Sequence, residues 1–435
     1  MLAHFLSHRL DRRNIHYGWV MAAVTFLTML GTAGAVGAPG VFIVPLEKQF
    51  GWDAAEISSA LAIRFALFGM IGPFAAAFMN RFGVRKVVMA SLLIVLCGLL
   101  SSLAMTQLWQ LVLLWGVVVG LGTGLTAIVL GATVATRWFH ARRGLVIGLL
   151  TASSATGQLV FLPILARVTD QYGWQAALAL ICSFLAFVAF CVWLLMHNHP
   201  ADVNLPAYGA DDVTPLPTQN SSLGQLMLSP ITILREAART RAFWILFISF
   251  FICGASTNGL IQTHFIALCG DYSIAAVAAA SMLAMMGIFD FFGTIGSGWL
   301  SDRFDSRKLL FTYYGLRGLS LVYLPFSDFT LYSLSIFAIF YGLDWIATVP
   351  PTVKLVAQNF GGIKTNVVFG WIFAGHQLGA ASAAFGGGLA RTTYNSYLPA
   401  FFTAGILCIA AALMILLMKE AASETTPPKL ATANS

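Results

Sequence analysis

Charged side chains are scarce in this sequence. They make up only 9% of the 435 residues, whereas hydrophobic residues make up 58%. A soluble domain has about 25% charged residues, so this composition excludes an ordinary soluble protein. It predicts a protein that lies within a lipid bilayer.

Cysteine is also rare, and the short motifs of common enzymes are absent. The six cysteines form no CxxC pair and no cluster with histidine, which argues against disulfides and against a zinc site. No HExxH, P-loop or GxSxG pattern occurs. We therefore expect no catalytic residue, no metal and no cofactor, and we predict that the protein is not an enzyme.

What the sequence does contain is a series of long apolar runs, twelve of them between residues 17 and 418. A bilayer core requires about 20 helical residues. Each run must be helical, because backbone groups in hydrocarbon need partners within their own segment and the alternation typical of a barrel is absent. The predicted fold class is an all-α membrane protein with twelve transmembrane helices.

Lysine and arginine are distributed unequally between alternate connections. The even connections and both tails contain nineteen of them, and the odd connections contain three. Cytoplasmic loops accumulate positive charge, so we predict that both termini are cytoplasmic and that the chain spans the inner (cytoplasmic) membrane of the cell. Contact with anionic lipid explains the net charge of +7, so we expect no nucleic-acid partner.

A polar, proline-rich segment follows the sixth run. We predict a six-helix bundle over residues 1–197, a cytoplasmic linker over 198–240, and a second six-helix bundle with a cytoplasmic tail over 241–435. Within the linker, Ser229 as N-cap and Pro230 at the first helical position suit the start of a short amphipathic helix.

The two halves of the chain repeat one another. NRFGVRK at 80–86 aligns with SDRFDSRK at 301–308, at an offset of 222 residues. Gly148 aligns with Gly370 at the same offset. Two six-helix halves in parallel orientation are typical of alternating-access transporters.

Three stretches resemble a known transporter family. GWLSDRFDSRK at 298–308 resembles the Gly-x-x-x-Asp-Arg-x-x-x-Arg-Lys signature of the major facilitator superfamily. RWFHARRGLVIGLLTASSATG at 137–157 and YGWVMAAVTFL at 17–27 resemble the fifth and first helices of its monocarboxylate transporter and oxalate/formate antiporter group. The resemblance spans nearly the whole chain and implies the major facilitator fold, with two pseudo-symmetric six-helix bundles.

Two positions depart from the family pattern. The first copy of the signature has Asn80 where Asp is usual. Thr294 stands four residues after Asp290, where mammalian monocarboxylate transporters have Arg. The substrate of the group therefore does not transfer directly to this chain.

Five ionisable side chains stand out within the apolar runs, where charge is costly and usually functional. With a helical rise of about 1.5 Å per residue, Asp290 and His376 lie about 18 Å from the cytoplasmic charges, near mid-membrane. Arg64 lies about 25 Å in, and Arg317 and Asp344 share a depth of about 15 Å. Because the resemblance places the ninth helix beside the tenth, we predict that Arg317 and Asp344 form a structural ion pair.

The resemblance implies that helices two, eight and eleven border a central cavity. We predict that Arg64 binds the substrate carboxylate, because a guanidinium can hold a carboxylate through two hydrogen bonds. Asp290 has no basic neighbour on its own helix, so burial favours its protonated form and suits proton coupling. His376 is a predicted polar partner of the substrate or the proton.

Structural alternatives stand beside these roles. Arg64 also suits a contact with a backbone carbonyl between helices two and eleven, and His376 suits a core histidine that donates to a carbonyl. Further polar residues are expected to line the substrate path: Tyr17, Asn258, Gln262 and Gln377. Charged residues of the two signature loops are expected to form a cytoplasmic gate: Arg81, Asp302 and Arg303.

These features predict a secondary active transporter of small organic anions, similar to monocarboxylates, that is coupled to protons. We expect a monomer in the bilayer. A proton-driven exporter of drugs or hydrophobic compounds is the alternative within transport, in keeping with 34 phenylalanines and 14 methionines. The alternative from another class is a non-transporting membrane receptor or scaffold.

Overall fold

The structure, a computed structural model, describes residues 16–126, 128–210, 212 and 223–418. The predictions for the two tails and for much of the polar linker concern residues outside these ranges. Within them the chain is helical throughout, apart from short turns and one isolated bridge between Phe139 and Tyr208.

The first half of the chain contains six long helical segments. They are α1 (Gly18–Gly37 and Pro39–Phe50), α2 (Ala54–Phe82), α3 (Val84–Ser102), α4 (Leu108–Leu111, Val112–Val118, Val119–Leu125 and Ile128–Trp138), α5 (Arg143–Tyr172) and α6 (Trp174–Leu195).

The second half contains six more. They are α7 (Arg241–Gly254, Ala255–Gln262 and Thr263–Asp271), α8 (Ala276–Arg303), α9 (Ser306–Tyr323), α10 (Leu331–Asp344 and Val349–Phe360), α11 (Gly362–Tyr394) and α12 (Leu398–Ile415).

Ten of these twelve segments are long and apolar enough to cross a membrane. The other two are α5 and α9, which pack against the long helices as members of the two halves. α5 packs against α1 and α8, and α9 packs against α12. The predicted fold class, an all-α membrane protein of two six-helix halves, is confirmed. We retain the exact division at residues 198 and 241 as a proposal.

Successive helices cross in opposite directions, so their connections lie on two faces. We call the face with residues 196–210 the linker face and the opposite one the distal face. A helix over Leu223–Ala237 precedes α7 on the linker face. The sequence predicted Pro230 as its first helical residue, which is seven residues after Leu223.

Packing explains the longer linker helix. It contacts α2 and α11, and the indole Nε1 of Trp371 donates a hydrogen bond of 2.9 Å to the carbonyl of Pro230. Glu236 near its end forms an ion pair with Lys364. Because tertiary contacts rather than capping supply most helical stability, they set the extent of this helix.

Close packing joins the two halves on the distal face. A Cβ added at Gly40 of α1 would lie 2.7 Å from the carbonyl of Gln262 on α7. A Cβ at Gly388 of α11 would lie 2.6 Å from the carbonyl of Ala54 on α2. Small residues allow such close helix contact in membranes. The structure therefore describes a conformation that is closed at the distal face.

We predict that Gly388→Val forces α2 and α11 apart, because its Cβ would also lie 2.6 Å from Ser58 Oγ. Overpacking of this kind costs about 1–3 kcal/mol. The thermal unfolding midpoint of the purified protein should fall. Gly386→Val is the matched control, since its Cβ position has no neighbouring atom within 4 Å. Equal midpoints for the two variants would contradict the proposed distal contact.

Candidate functional site

A cavity of about 340 Å³ lies between the two halves of the chain. Its wall is formed by α1, α2, α4 and α5 of the first half and by α7, α10 and α11 of the second. It reaches Thr151 and Val353, toward the linker face, whereas the glycine contacts close the distal side. The size suits a small organic ligand, since ligand pockets measure about 300–1,000 Å³.

Four of the predicted substrate residues lie in this wall: Asn258, Gln262, His376 and Gln377. Gln262 Oε1, His376 Nδ1 and Gln377 Oε1 are buried without a hydrogen-bond partner in the protein. An unsatisfied buried polar group costs about 1–3 kcal/mol, so a ligand that pairs with these groups gains from them.

A π-helical turn supplies two of these residues. α7 widens over Ala255–Gln262, which contains Asn258 and Gln262. The hydroxyl of Thr263 donates to the Asn258 carbonyl at 2.8 Å, five residues back, as the wider turn allows. Short π segments inside α-helices are frequent at functional sites.

The rest of the cavity wall is uncharged and contains aromatic rings, aliphatic side chains and threonine hydroxyls. Six aromatic side chains line it: Phe65, Phe68, Phe250, Trp345, Phe369 and Phe373. Among the described residues that line the cavity there is no Lys, Arg, Asp or Glu. A ligand in this cavity therefore meets rings, hydroxyls, amides and one imidazole.

One stretch of the wall comes from a break in α10 between Asp344 and Val349. Pro350 and Pro351 have no N–H, so the carbonyls of Ile346 and Ala347 lose their usual partners four residues on. Val349 N–H donates to the Ile346 carbonyl instead, and the Ser297 hydroxyl of α8 donates to Ala347 at 2.5 Å.

Arg317 of α9 satisfies the carbonyls before the prolines. Its guanidinium donates to the carbonyls of Asp344 at 2.5 Å and Trp345 at 3.1 Å. It also forms an ion pair of 2.6 Å with the Asp344 carboxylate and contacts Cys253 Sγ at 2.9 Å. The two residues predicted to pair thus lie together, in a network that holds the broken backbone of α10.

Asp290 of α8 lies at the same break. Its carboxylate accepts hydrogen bonds from the Ile346 N–H at 2.8 Å and from the Thr294 hydroxyl at 3.0 Å. The side chain is 4% exposed and is not part of the cavity wall, but Ile346 is. Asp290 is therefore one peptide group away from the cavity.

Arg64 lies elsewhere. It is 2% exposed and faces a cavity of about 10 Å³ inside the first half, lined by apolar residues and Trp115. Its Nε has no hydrogen-bond partner, and its guanidinium lies 4.8 Å from the Phe65 ring centroid. The expectation that Arg64 and Asp290 border one cavity differs from the structure, because α2 directs Arg64 away from the central cavity.

Tyr17 also lies away from the cavity. It precedes α1 on the linker face, where its hydroxyl donates to the Leu195 carbonyl at 2.8 Å and its ring lies 5.9 Å from that of Trp138. This position differs from the expected place on the substrate path. The contact between α1 and α6 explains the burial of Tyr17.

The predicted gate residues are only partly described. Arg303 donates to the Trp299 carbonyl at 3.3 Å and stacks 4.0 Å from the Trp299 ring centroid, whereas Arg81 is exposed and the side chain of Asp302 lies outside the description. Nearby, the hydrogen bond from Arg307 lowers the pKa of the Asp305 carboxyl. The gate stays a prediction.

Comparison with known proteins agrees with this architecture. The family model described as Major Facilitator Superfamily matches residues 21–384. The chain belongs to the major facilitator superfamily. The structure of a peptide transporter, POT, solved in complex with sulfate, superposes with a TM-score of 0.70 over 91% of this chain and 93% of that one. At 14% identity this similarity concerns the fold alone.

Several relatives align over most of this major facilitator protein. An uncharacterized MFS-type transporter, YcxA of Bacillus subtilis (strain 168), is 24% identical over 87% of this chain and 90% of its own. Monocarboxylate transporter 13 of Rattus norvegicus is 24% identical over 93% and 90%. Monocarboxylate transporter 12 of Homo sapiens is 22% identical over 92% and 80%. Membership in the superfamily makes the chain a non-enzymatic, multi-pass secondary transporter.

The first signature loop of this transporter shows what Asn80 does. Its Oδ1 accepts a hydrogen bond of 2.6 Å from Arg137, which joins the linker-face ends of α2 and α4. A carboxylate there would make a charge-assisted contact, and the amide makes a neutral acceptor for the same arginine. The departure from the signature therefore preserves the contact but not the ion pair.

Sequence reasoning missed the residues that hold the α10 break. The prediction gave no role to Ser297, Cys253 or Thr348. Cys253 and Thr348 line the cavity, and Cys253 Sγ lies 3.4 Å from Thr348 Oγ1. The signal was the adjacent pair Pro350 and Pro351 shortly after a buried acid. Two prolines within a membrane span predict freed carbonyls, which require donors from neighbouring helices.

We predict that Ser297→Ala destabilises the protein by about 1–3 kcal/mol, because the Ala347 carbonyl loses its donor. Pro351→Ala supplies an N–H four residues after Ala347, so Ser297→Ala should cost less in that background. Thermal unfolding of the four proteins measures this coupling. Ser301→Ala is the matched control on α8, since Ser301 Oγ is buried without a partner. Equal losses in both backgrounds would contradict this account.

Proposed function

We propose that this protein transports small organic acids of the monocarboxylate type together with protons, by alternating access of the central cavity to the two faces. The names of the relatives support this substrate class at 22–24% identity. The arrangement of Asp290, the α10 break and the cavity supports the coupling to protons.

The position of Asp290 is the observation on which the coupling depends. As a carboxylate, Asp290 makes a charge-assisted hydrogen bond to the N–H of Ile346, a residue of the cavity wall. Such bonds are about twice as strong as neutral ones. Protonation of Asp290 therefore weakens its hold on the break and changes the relative stability of two positions of α10.

The uncharged wall supports movement of the acid with a proton. A carboxylate without a cation in an apolar cavity is costly to desolvate. When a proton binds Asp290 together with the acid, the net charge of the site does not change, and the carboxylate meets no unbalanced negative charge at the α10 break. On this proposal His376, Gln262 and Gln377 hydrogen-bond the acid, while Asp290 holds the coupled proton behind the wall.

The orientation and the cellular membrane belong to the same proposal. The nineteen positive residues predicted on one side support a cytoplasmic linker face, and we propose that both termini are cytoplasmic as well. The membrane is then the inner (cytoplasmic) membrane, and the closed distal face is the outer one. We propose that the protein acts as a monomer, because one chain contains the complete cavity.

Export of hydrophobic compounds is the second candidate, and the aromatic wall favours it. The two functions differ in the direction of coupling. In vesicles that are acidic outside, a proton symporter accumulates the acid inside. A proton-driven exporter accumulates its substrate inside only when protons flow out of the vesicle, in the direction opposite to the substrate.

We predict that Asp290→Asn abolishes accumulation of an organic acid driven by a pH gradient and retains exchange of the acid across the membrane. The amide oxygen can still accept from Ile346 N–H, but the side chain cannot bind and release a proton. Proteoliposomes with an imposed pH gradient measure both activities. Asp328→Asn, at an exposed distal carboxylate, is the control. Uphill accumulation by Asp290→Asn would show that Asp290 is structural.

The sequence predicts that Arg64 binds the carboxylate, whereas its position beside a separate cavity argues against this role, and Arg64→Gln decides between the two. Loss of a hydrogen bond to a charged partner costs about 1.5–3 kcal/mol, or about 10- to 150-fold in affinity. Because Arg64 faces a separate apolar cavity, we expect the acid to bind with affinity within about threefold of the original, as a calorimetric titration would show. If the affinity of Arg64→Gln for the acid falls tenfold or more while the protein stays folded and monodisperse, Arg64 binds the carboxylate after all.

A further inference from the structure

We propose that the substrate class is an aromatic monocarboxylic acid, whose ring packs against Phe68, Phe250 and Phe373 while its carboxyl group binds near His376 and Gln377. This inference rests on the proposed function and specifies the ligand of the same cavity. It follows from the rings, the size and the polar groups of the wall.

The rings of the wall form a continuous surface. The His376 ring stacks on Phe373 with centroids 5.6 Å apart and planes at 10°, and lies 5.0 Å from the Phe250 ring. Phe68 of the first half meets Phe373 edge-on at 6.2 Å. Aromatic pairs prefer offset-stacked or edge-to-face contacts at about 4.5–7 Å. An aromatic ligand extends this surface with the same geometry.

The size of the cavity separates ring acids from the smallest acids. Its 340 Å³ suits a ligand of one or two rings, whereas an acid of three carbons would leave most of the aromatic wall without contact. Atoms that face unfilled space lose dispersion contacts. The wall therefore favours a ring over a short aliphatic chain.

The polar groups of the wall carry no formal charge. Gln377 and His376 are adjacent on α11 and both retain buried polar atoms without partners. A carboxylate can accept hydrogen bonds from the side-chain amide N–H of Gln377 and from a ring N–H of His376 at once, whereas the described residues of the wall offer no charged partner to a second ionised group. The inferred ligand thus has one carboxyl group and no further charge.

Matched ligands test the role of the ring. Benzoate and cyclohexanecarboxylate have similar size and the same carboxyl group, and only benzoate is aromatic. Binding to the purified full chain in nanodiscs should favour benzoate by about 2- to 12-fold, the range expected for one aromatic contact. Benzamide tests the carboxyl group, because it retains the ring and loses the ionisable function. It should bind more weakly than benzoate.

Matched variants test the place of the ring. Phe373→Leu keeps an apolar side chain but removes the ring from the cavity. The ratio of the affinities for benzoate and cyclohexanecarboxylate should therefore fall toward one. Phe385→Leu is the control on the same helix, since Phe385 is exposed and lies outside the cavity wall. Phe68→Leu repeats the test from the other half if Phe373→Leu does not fold.

The outcomes separate this inference from the proposed function. Equal affinity for benzoate and cyclohexanecarboxylate, or a preference that survives both cavity variants, overturns the inference. If lactate is then accumulated under a pH gradient, the proposed function stands without it. If no acid binds while benzamide does, both fail and export of neutral hydrophobic compounds replaces them.

Discussion

The second half of this transporter depends on the contact between Arg317 and the open backbone of α10. A membrane interior offers no water to an unpaired carbonyl, so a helix can break there only where another element supplies donors. Arg317 supplies them to Asp344 and Trp345, and the Asp344 carboxylate balances its charge. Removing one member of a buried ion pair costs about 3–5 kcal/mol of stability. Loss of either Arg317 or Asp344 should therefore also destabilise the break in α10.

Close helix packing brings the partners of this break into reach. A Cβ at Gly293 of α8 would lie 1.9 Å from the Leu343 carbonyl, and one at Gly342 of α10 would lie 2.6 Å from the Met286 carbonyl. These glycines let α8 approach α10 closely enough for Asp290 to accept from Ile346 N–H. The same approach fixes the cavity wall, because the broken segment forms part of it.

Sequence predicted the depth of the buried charges better than their direction. Depth follows from residue counts along a helix, so Arg317 and Asp344 were expected at one level and do lie in contact. Direction depends on helix rotation. At the 222-residue offset between the halves, Asp290 corresponds to Phe68, which lines the cavity, whereas Arg64, four residues earlier on α2, faces the interior of the first half. The rotation of a helix about its own axis cannot be obtained by counting residues. The π turns of α4 and α7 also change it.

The arrangement of charge connects the fold with the proposed transport. The cavity wall is neutral among its described residues, and the carboxylate of Asp290 lies behind the backbone of α10. Around the break, Arg317 balances Asp344, so a proton on Asp290 makes this cluster neutral, whereas its loss leaves one negative charge in low dielectric. On the proposed function the acid binds on the cavity side of the α10 backbone, and the coupled proton binds Asp290 on the other side. A substrate can then be coupled to protons without any charged residue touching it, because the α10 break is the element that both sites share.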